Sequence, residues 1–138
     1  MTTRATYIFK DQSSRHFVFG HYDGYPTGAQ QYFKRAVASG LAWPDGRFEA
    51  NDFAAAFVAA NKTTGGGGFR LANSIAPDVD FVYELVQPEE GPPQLSIYEP
   101  SVRDWSIRKG KRLSVMTLET FLNIHPDNLD NAVFPYSL

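Results

Sequence analysis

The chain contains no cysteine. That excludes disulfides, Cys-ligated zinc, iron–sulfur clusters and thiol catalysis. Histidine is scarce, at His16, His21 and His125. No HExxH motif or His cluster gives the three or four converging ligands a metal needs, so neither a metal nor a cofactor is expected. No apolar run approaches the roughly 20 residues that span a bilayer, so no membrane association is expected. The opening MTTRATYIFK lacks the charged-then-apolar order of a signal peptide, which points to the cytoplasm. Charge of one sign is also missing. Thirteen Lys and Arg stand against fifteen Asp and Glu, a net −2. This argues against both a polyanion mimic and a cationic nucleic-acid coat.

Apolar surface, by contrast, is plentiful. Of 138 residues, 43% are hydrophobic and 14% aromatic, with eleven Phe and seven Tyr. That is enough to fill a core without covalent staples. One domain is expected over 1–138, with its core at about 4–124 and an apolar tail at 125–138 that docks on the domain or meets another chain, a homodimer included.

The patterns predict an α+β fold: a single antiparallel sheet built from hairpins, with two or three helices packed on one face. Thr6–Lys10 and Arg15–Tyr22 are rich in β-branched and aromatic residues and flank the turn chemistry of Asp11–Ser14, a hairpin signature. Phe17 and Phe19 share one face; His16, Val18 and Gly20 share the other. Ala29, Tyr32, Phe33, Ala36 and Val37 follow helical spacing, predicting a helix over 28–39 with Thr27 and Gln30 as a capping box. Asn51 is the expected cap of a second helix at 52–62. The run TTGGGG at 63–68 reads as a flexible loop. It is not a phosphate-binding loop, because Phe69-Arg70 follows where Lys-Ser/Thr is required. Further strands are expected at 69–72, 79–86 and 94–99. Another hairpin is expected with its turn at Lys109-Gly110, and a short helix at 117–124 ended by Pro126.

The stretch His21-Tyr22-Asp23-Gly24-Tyr25-Pro26-Thr27-Gly28 has two readings. In the first, every residue has a local role in turning the chain and starting a helix. In the second, it is a small polar site. His21 and Asp23 lie two apart and project together, and helix-start amides suit a phosphate or carboxylate. Tyr22 or Tyr25 could stack on a ring. With Arg4, the ligand-binding candidates are therefore Arg4, His21, Asp23, Tyr25 and Gly28. Residues 101–112 hold five basic side chains, Trp105 and one acid, Asp104. They form a patch suited to an acidic protein surface, and less so to nucleic acid. Tyr22, Trp43, Arg103, Trp105 and Arg108 are the candidate protein contacts, since Tyr, Trp and Arg make rigid interface anchors.

Together with Thr2-Thr3-Arg4-Ala5-Thr6-Tyr7, the His21–Gly28 stretch resembles small proteins encoded by bacteriophages and plasmids. These open on (Ser/Thr)-Thr-Arg-Ala-Thr and carry His-x-Asp-Gly-Tyr-Pro-x-Gly before a helix. The resemblance covers residues 2–37 and fits the Tyr-bearing strand at 79–86. It implies an accessory protein of a mobile element in the bacterial cytoplasm, of the kind that binds and blocks a host defence component. It brings no catalytic residues.

The expected activity is thus binding to a host protein. A small-molecule or nucleotide ligand at His21–Gly28 is the alternative. The one catalytic idea is an N-terminal nucleophile: removal of Met1 would expose Thr2, whose own amine would serve as base. No Gly-x-Ser-x-Gly elbow and no carboxylate pair with acid–base spacing is present.

Overall fold

A computed structural model of the chain describes residues 3–40, 48–62, 68–103 and 106–129, with the side chains of 101–103 and 106–109 left aside. Thr2, Trp43, Trp105 and the tail beyond Leu129 lie outside the described residues. In chain order the elements are β1 (Ala5–Lys10), β2 (Arg15–Gly20), α1 (Pro26–Ala38), α2 (Ala50–Asn61), β3 (Phe69–Ala72), β4 (Phe81–Val86), β5 (Gln94–Arg103), β6 (Ser106–Thr117) and α3 (Leu118–Asn123). The six strands form one sheet in the order β3-β2-β1-β4-β5-β6. The class is α+β, as the patterns predict, and four of the five strand pairings are antiparallel.

The fifth pairing is parallel. β4 lies beside β1 in the register Ala5↔Phe81 to Lys10↔Val86. Parallel neighbours need a crossover rather than a hairpin, and residues 73–80 supply it. The Ala76 N–H donates to Thr6 Oγ1 at 3.3 Å. Thr6 points away from the helices, because its neighbour Tyr7 points toward them. The crossover therefore passes over the face of the sheet that the helices leave.

The helix-side face is built by period-two alternation. Ala5, Tyr7 and Phe9 of β1 are fully buried beside Val18 of β2, Tyr83 and Leu85 of β4, and Leu95 and Ile97 of β5. On α1 the spacing of Ala29, Tyr32, Phe33 and Ala36 does place one buried stripe against this face. Rings from both layers mesh. Phe57 of α2 lies 4.8 Å from Tyr7, 5.2 Å from Phe9 and 5.2 Å from Phe33, centroid to centroid. These tilted contacts avoid the face-to-face overlap that the quadrupoles of aromatic rings disfavour.

The helix caps differ from the local expectation, and each difference has a tertiary cause. Helix α1 starts at Pro26, with Tyr25 as N-cap and no side-chain cap bond. Proline's fixed φ and missing N–H suit the first turn. Gln30 does not close a capping box. It is fully buried and donates its Nε2 hydrogens to the carbonyls of Phe121 (2.9 Å) and Ile124 (2.7 Å), tying the end of α3 to α1. Asn51 lies inside α2 rather than capping it. Asn51 Oδ1 accepts its neighbour's N–H, that of Asp52, at 2.7 Å, and Asp11 of the β1–β2 turn reaches the helix start, its Oδ2 receiving the Ala50 N–H at 2.9 Å. Its Oδ1 receives the Ser13 and Ser14 amides at 2.8 Å each. Thr117, expected as the first residue of the last helix, instead caps α3 from outside it, accepting from the Thr120 amide at 3.1 Å.

The hairpin expected around Lys109-Gly110 is also redrawn. Lys109-Gly110 is not a turn but part of β6, which pairs with β5 from Arg103↔Ser106 to Gln94↔Thr117. Gly110 takes φ 83°, and the register shifts beside it, between Glu99 and Ser101. A glycine at positive φ marks a bulge as readily as a turn. Residues 101–103 and 106–112 thus belong to the β5–β6 strand pair rather than to a turn at Lys109-Gly110.

Asp11 carries a sign-determined prediction. The hydrogen bond from Ala50, followed by those from Ser13 and Ser14, holds its carboxyl below the ordinary range against an opposing effect of burial. A carboxyl lowered by folding stabilises the fold above its unfolded pKa, and the effect is lost as pH falls through the folded value. Asp11→Ala should lower the unfolding free energy by about 1 kcal/mol near neutrality, the usual worth of a helix cap. Denaturant melts should show that gap closing in strong acid.

Candidate functional site

The distinctive corner of the molecule is the turn that leaves β2 and enters α1. Four hydrogen bonds fix it, each to a different place. The His21 N–H donates to the Gly68 carbonyl at 3.0 Å. The Gly24 N–H donates to the Thr3 carbonyl at 2.9 Å. The Tyr83 hydroxyl donates to the Gly24 carbonyl at 2.6 Å, and the Tyr32 hydroxyl to the Tyr22 carbonyl at 3.0 Å. The turn is also strained at one point. Asp23 has φ 52°, and among the described residues it is the one non-glycine at positive φ. Asp tolerates this left-handed conformation better than most residues, at a cost of order 1 kcal/mol. Gly28 lets the chain close on itself, because a Cβ there would overlap the Asp23 carbonyl oxygen.

This geometry buries the backbone and presents the side chains. Tyr22 is 52% exposed and Tyr25 38%. The Tyr22 ring meets His21 edge-on at 4.6 Å between centroids. It also lies over Gly68, where a Cβ would come within 2.8 Å of its Cδ2. Gly68 has φ 71°, so this last glycine of the run positions Tyr22 as well as turning the chain. The Tyr25 hydroxyl donates to Asp23 Oδ1 at 3.1 Å.

Two groups of polar side chains flank the turn. On one side is a shallow recess of about 260 Å³, lined by Asp23, Tyr25, Thr27, Gly28, Gln31, Tyr32 and Arg35. Its lining carries both signs of charge, the Asp23 carboxylate and the Arg35 guanidinium. The volume is below the usual range for a drug-sized ligand and suits a single side chain. Burial, reinforced by Asp23 and Tyr25 and opposed by Arg35, pushes the Tyr32 hydroxyl up to about 12. On the other side is Arg4. Its Nε donates to His21 Nδ1 at 3.4 Å and forms a salt bridge with Asp78 at 3.5 Å. Its backbone N–H donates to Asp80 Oδ2 at 3.1 Å.

The expected convergence of Arg4, His21 and Asp23 is therefore divided. Arg4 and His21 touch, while Asp23, Tyr25 and Gly28 line the recess with Arg35. Tyr22 stands between the two groups. Arg103 and Arg108 sit on the β5–β6 ladder, where their backbone alone is described. Sequence reasoning missed Gln31 and Arg35, although their spacing from Gly28 marks one helix face. It also missed Gly68 and the aspartates of the crossover, for which no local signal exists. A second recess of about 510 Å³ lies at the edge of β2 and β3, lined by Arg15, His16, Phe17, Leu71, Ala72 and Asn73.

Among the described residues, no three His, Asp or Glu side chains are grouped to hold a metal ion. Nor is any helix there long and apolar enough to cross a membrane. No protein-family model, curated protein or solved structure matches the chain.

Two outcomes test this geometry. Gly28→Ala should lower stability by about 2 kcal/mol, within the range for overpacking, as measured by denaturant unfolding. The second concerns alkali. Burial chiefly raises Tyr7 well above the ordinary tyrosine value, as it does Tyr32. The unfolded chain then releases these protons first, so stability should be complete below about pH 10 and fall as pH rises further. Tyr7→Phe with Tyr32→Phe should flatten that alkaline limb in melts taken from pH 8 to 12.

Proposed function

We propose that the chain is a small binding protein that occupies a surface of a partner protein, with the His21–Gly28 corner as its contact face. The observation that carries this reading is the placement of Tyr22 and Tyr25. They are the exposed large aromatics among the described residues, and they stand three positions apart on one hydrogen-bonded turn. Tyrosine gives an interface broad, amphipathic contact at low entropic cost. A turn already fixed by four bonds loses little further freedom on binding. The recess beside Tyr25 has the size to receive one partner side chain.

The resemblance of the TTRAT opening and of HYDGYPTG to phage- and plasmid-encoded proteins supports a setting for this activity. In that reading the protein is an accessory of a mobile element, works in the cytoplasm of a bacterial host, and has a host protein, such as a defence component, as its target. The paired charges of Asp23 and Arg35 favour a second reading, in which the recess takes a small zwitterionic ligand.

Tagged protein should retain one host protein in near-stoichiometric amount from bacterial lysate, with or without phage infection, as read by mass spectrometry. Tyr22→Ala with Tyr25→Ala should lose that protein while keeping its melting temperature. A bait that captures nothing, or a captured protein that survives both substitutions, would overturn the binding reading.

A further inference from the structure

The wider recess, of about 510 Å³, lies where the rim of the sheet is broken. β3 pairs with β2 from Gly20↔Phe69 to Phe17↔Ala72 and stops there, leaving Arg15 and His16 of β2 beyond its end. Alternation along the strands puts Arg15, Phe17 and Ala72 of the lining on one face of the sheet, and His16 and Leu71 on the other. The recess is therefore a notch at the rim, walled from both faces. Its size falls in the range of small-molecule sites, roughly 300–1,000 Å³. Hydrogen-bonding direction alternates as well. The His21 N–H meets the Gly68 carbonyl, so Phe19, Phe17 and Arg15 turn their backbone groups to that same side. At Arg15, β3 has ended and no longer meets them.

The lining joins apolar surface to one cation. Phe17 is half-buried, and Leu71 is 75% exposed, more than any other large apolar side chain among the described residues. The guanidinium carbon of Arg15 lies 5.2 Å from the centre of the Phe17 ring, which steadies the charge without a carboxylate. No acid lines the recess. The surrounding charges lean the same way. Lys10 stands directly opposite Arg15, and Arg70 lies along the same face over Phe19. Asp11, beside Lys10 in sequence, has its carboxylate engaged by the amides of Ser13, Ser14 and Ala50. Glu84, which shares the face from β4, accepts from the Tyr98 hydroxyl at 3.5 Å. Three cations thus face two acids, both already hydrogen-bonded.

We infer that this notch binds a carboxylate borne on an apolar group, as in a small organic acid or the carboxy-terminal residue of a chain. The site is separate from the Tyr22–Tyr25 corner and stands or falls apart from it. The Arg15 guanidinium and backbone N–H hold the carboxylate, and hydrogen bonds to a charged group are about twice as strong as neutral ones. Phe17 and Leu71 cover the apolar group, which removes their own surface from water. A phosphate would leave those walls wet. A nucleic-acid backbone needs several cations along a track, where the notch has one in its lining.

The test is titration of ¹⁵N-labelled full-length protein, followed by NMR. The probes are N-acetyl-leucine, its neutral amide, an acetylated peptide ending in Leu with a free carboxylate, and inorganic phosphate. The two acids should give saturable shifts centred on the amides of Arg15, His16, Leu71 and Asn73. The neutral amide should bind about tenfold more weakly, the usual worth of a charged hydrogen bond. A peptide that binds more tightly than N-acetyl-leucine assigns the site to chain ends, and the reverse assigns it to free acids; both uphold the inference. Arg15→Gln should weaken N-acetyl-leucine about tenfold. Leu71→Ser, at an exposed position, should weaken it about threefold with an unchanged melting curve. Tyr22→Ala should leave it as in wild type. No saturable shifts at the notch, equal binding of acid and amide, saturation of the same shifts by phosphate, or indifference to Arg15→Gln would each overturn the inference. Should Arg15→Gln fail to fold, the acid–amide comparison and Leu71→Ser decide alone.

Discussion

The fold turns on the ring of Tyr7. In the middle of β1 it meets Tyr32 and Phe33 of α1, Phe57 of α2, Phe69 of β3 and Tyr83 of β4, at centroid separations between 4.8 and 6.4 Å. Two of those neighbours are tyrosines whose hydroxyls leave the core and hold the β2–α1 turn, Tyr32 at Tyr22 and Tyr83 at Gly24. A phenylalanine at either place would pack as well and anchor nothing. The apolar body of tyrosine fills the core while its hydroxyl satisfies a carbonyl of the turn that closes over it. Packing at the centre of the sheet is thereby transmitted, through one ring on each side, to the carbonyls that set the shape of the exposed corner. The Tyr7 hydroxyl itself is buried without a hydrogen-bond partner among the described residues, a local cost of about 1–3 kcal/mol.

Local pattern and tertiary outcome agree where the signal is periodic. Tyr7 and Phe9 alternate as strand residues do, and Ala29, Tyr32, Phe33 and Ala36 recur as helix residues do. They part where a residue serves something distant. Asn51 has the chemistry of a cap, but the β1–β2 turn brings Asp11 to the start of α2. Thr27 and Gln30 have capping-box spacing, but Gln30 is drawn inward to the end of α3. Neither partner is adjacent in sequence, so no window of neighbouring residues reveals it. The parallel contact between β1 and β4 has the same origin. Two strands with ordinary alternation do not declare their orientation, and it is the crossover over Thr6 that sets it.

The corner was legible as a motif and only half legible as a site. Asp23, Gly24, Pro26 and Gly28 mark a turn and helix start by composition. Yet the positive φ falls on Asp23 rather than on Gly24, because the Gly24 N–H must face Thr3 while its carbonyl faces Tyr83. Arg4 and His21 do meet, but the residue that fixes Arg4 is Asp78, at the far end of the crossover. Gly68 reads locally as the end of a flexible run. Its role as the surface beneath Tyr22 comes only from β3 lying beside β2.

The sheet order has a consequence for the growing chain. β1 is made before either of the strands that flank it in the sheet. β2 can pair with it at once through a four-residue turn. The other side must wait for β4, which begins at Phe81, after two helices, another strand and the crossover have emerged. Until then the backbone groups along that side of β1 have only water as partner, and the rim of Tyr7 that will stack on Tyr83 is bare. An unpaired edge of this kind is a template for wrong association. Closing so long a connection is also slow relative to forming local helices and hairpins. The segment from β1 to β3 is therefore poised during synthesis as a half-built sheet (β3-β2-β1 with α1 and α2), completed only when the ribosome has delivered β4, β5 and β6.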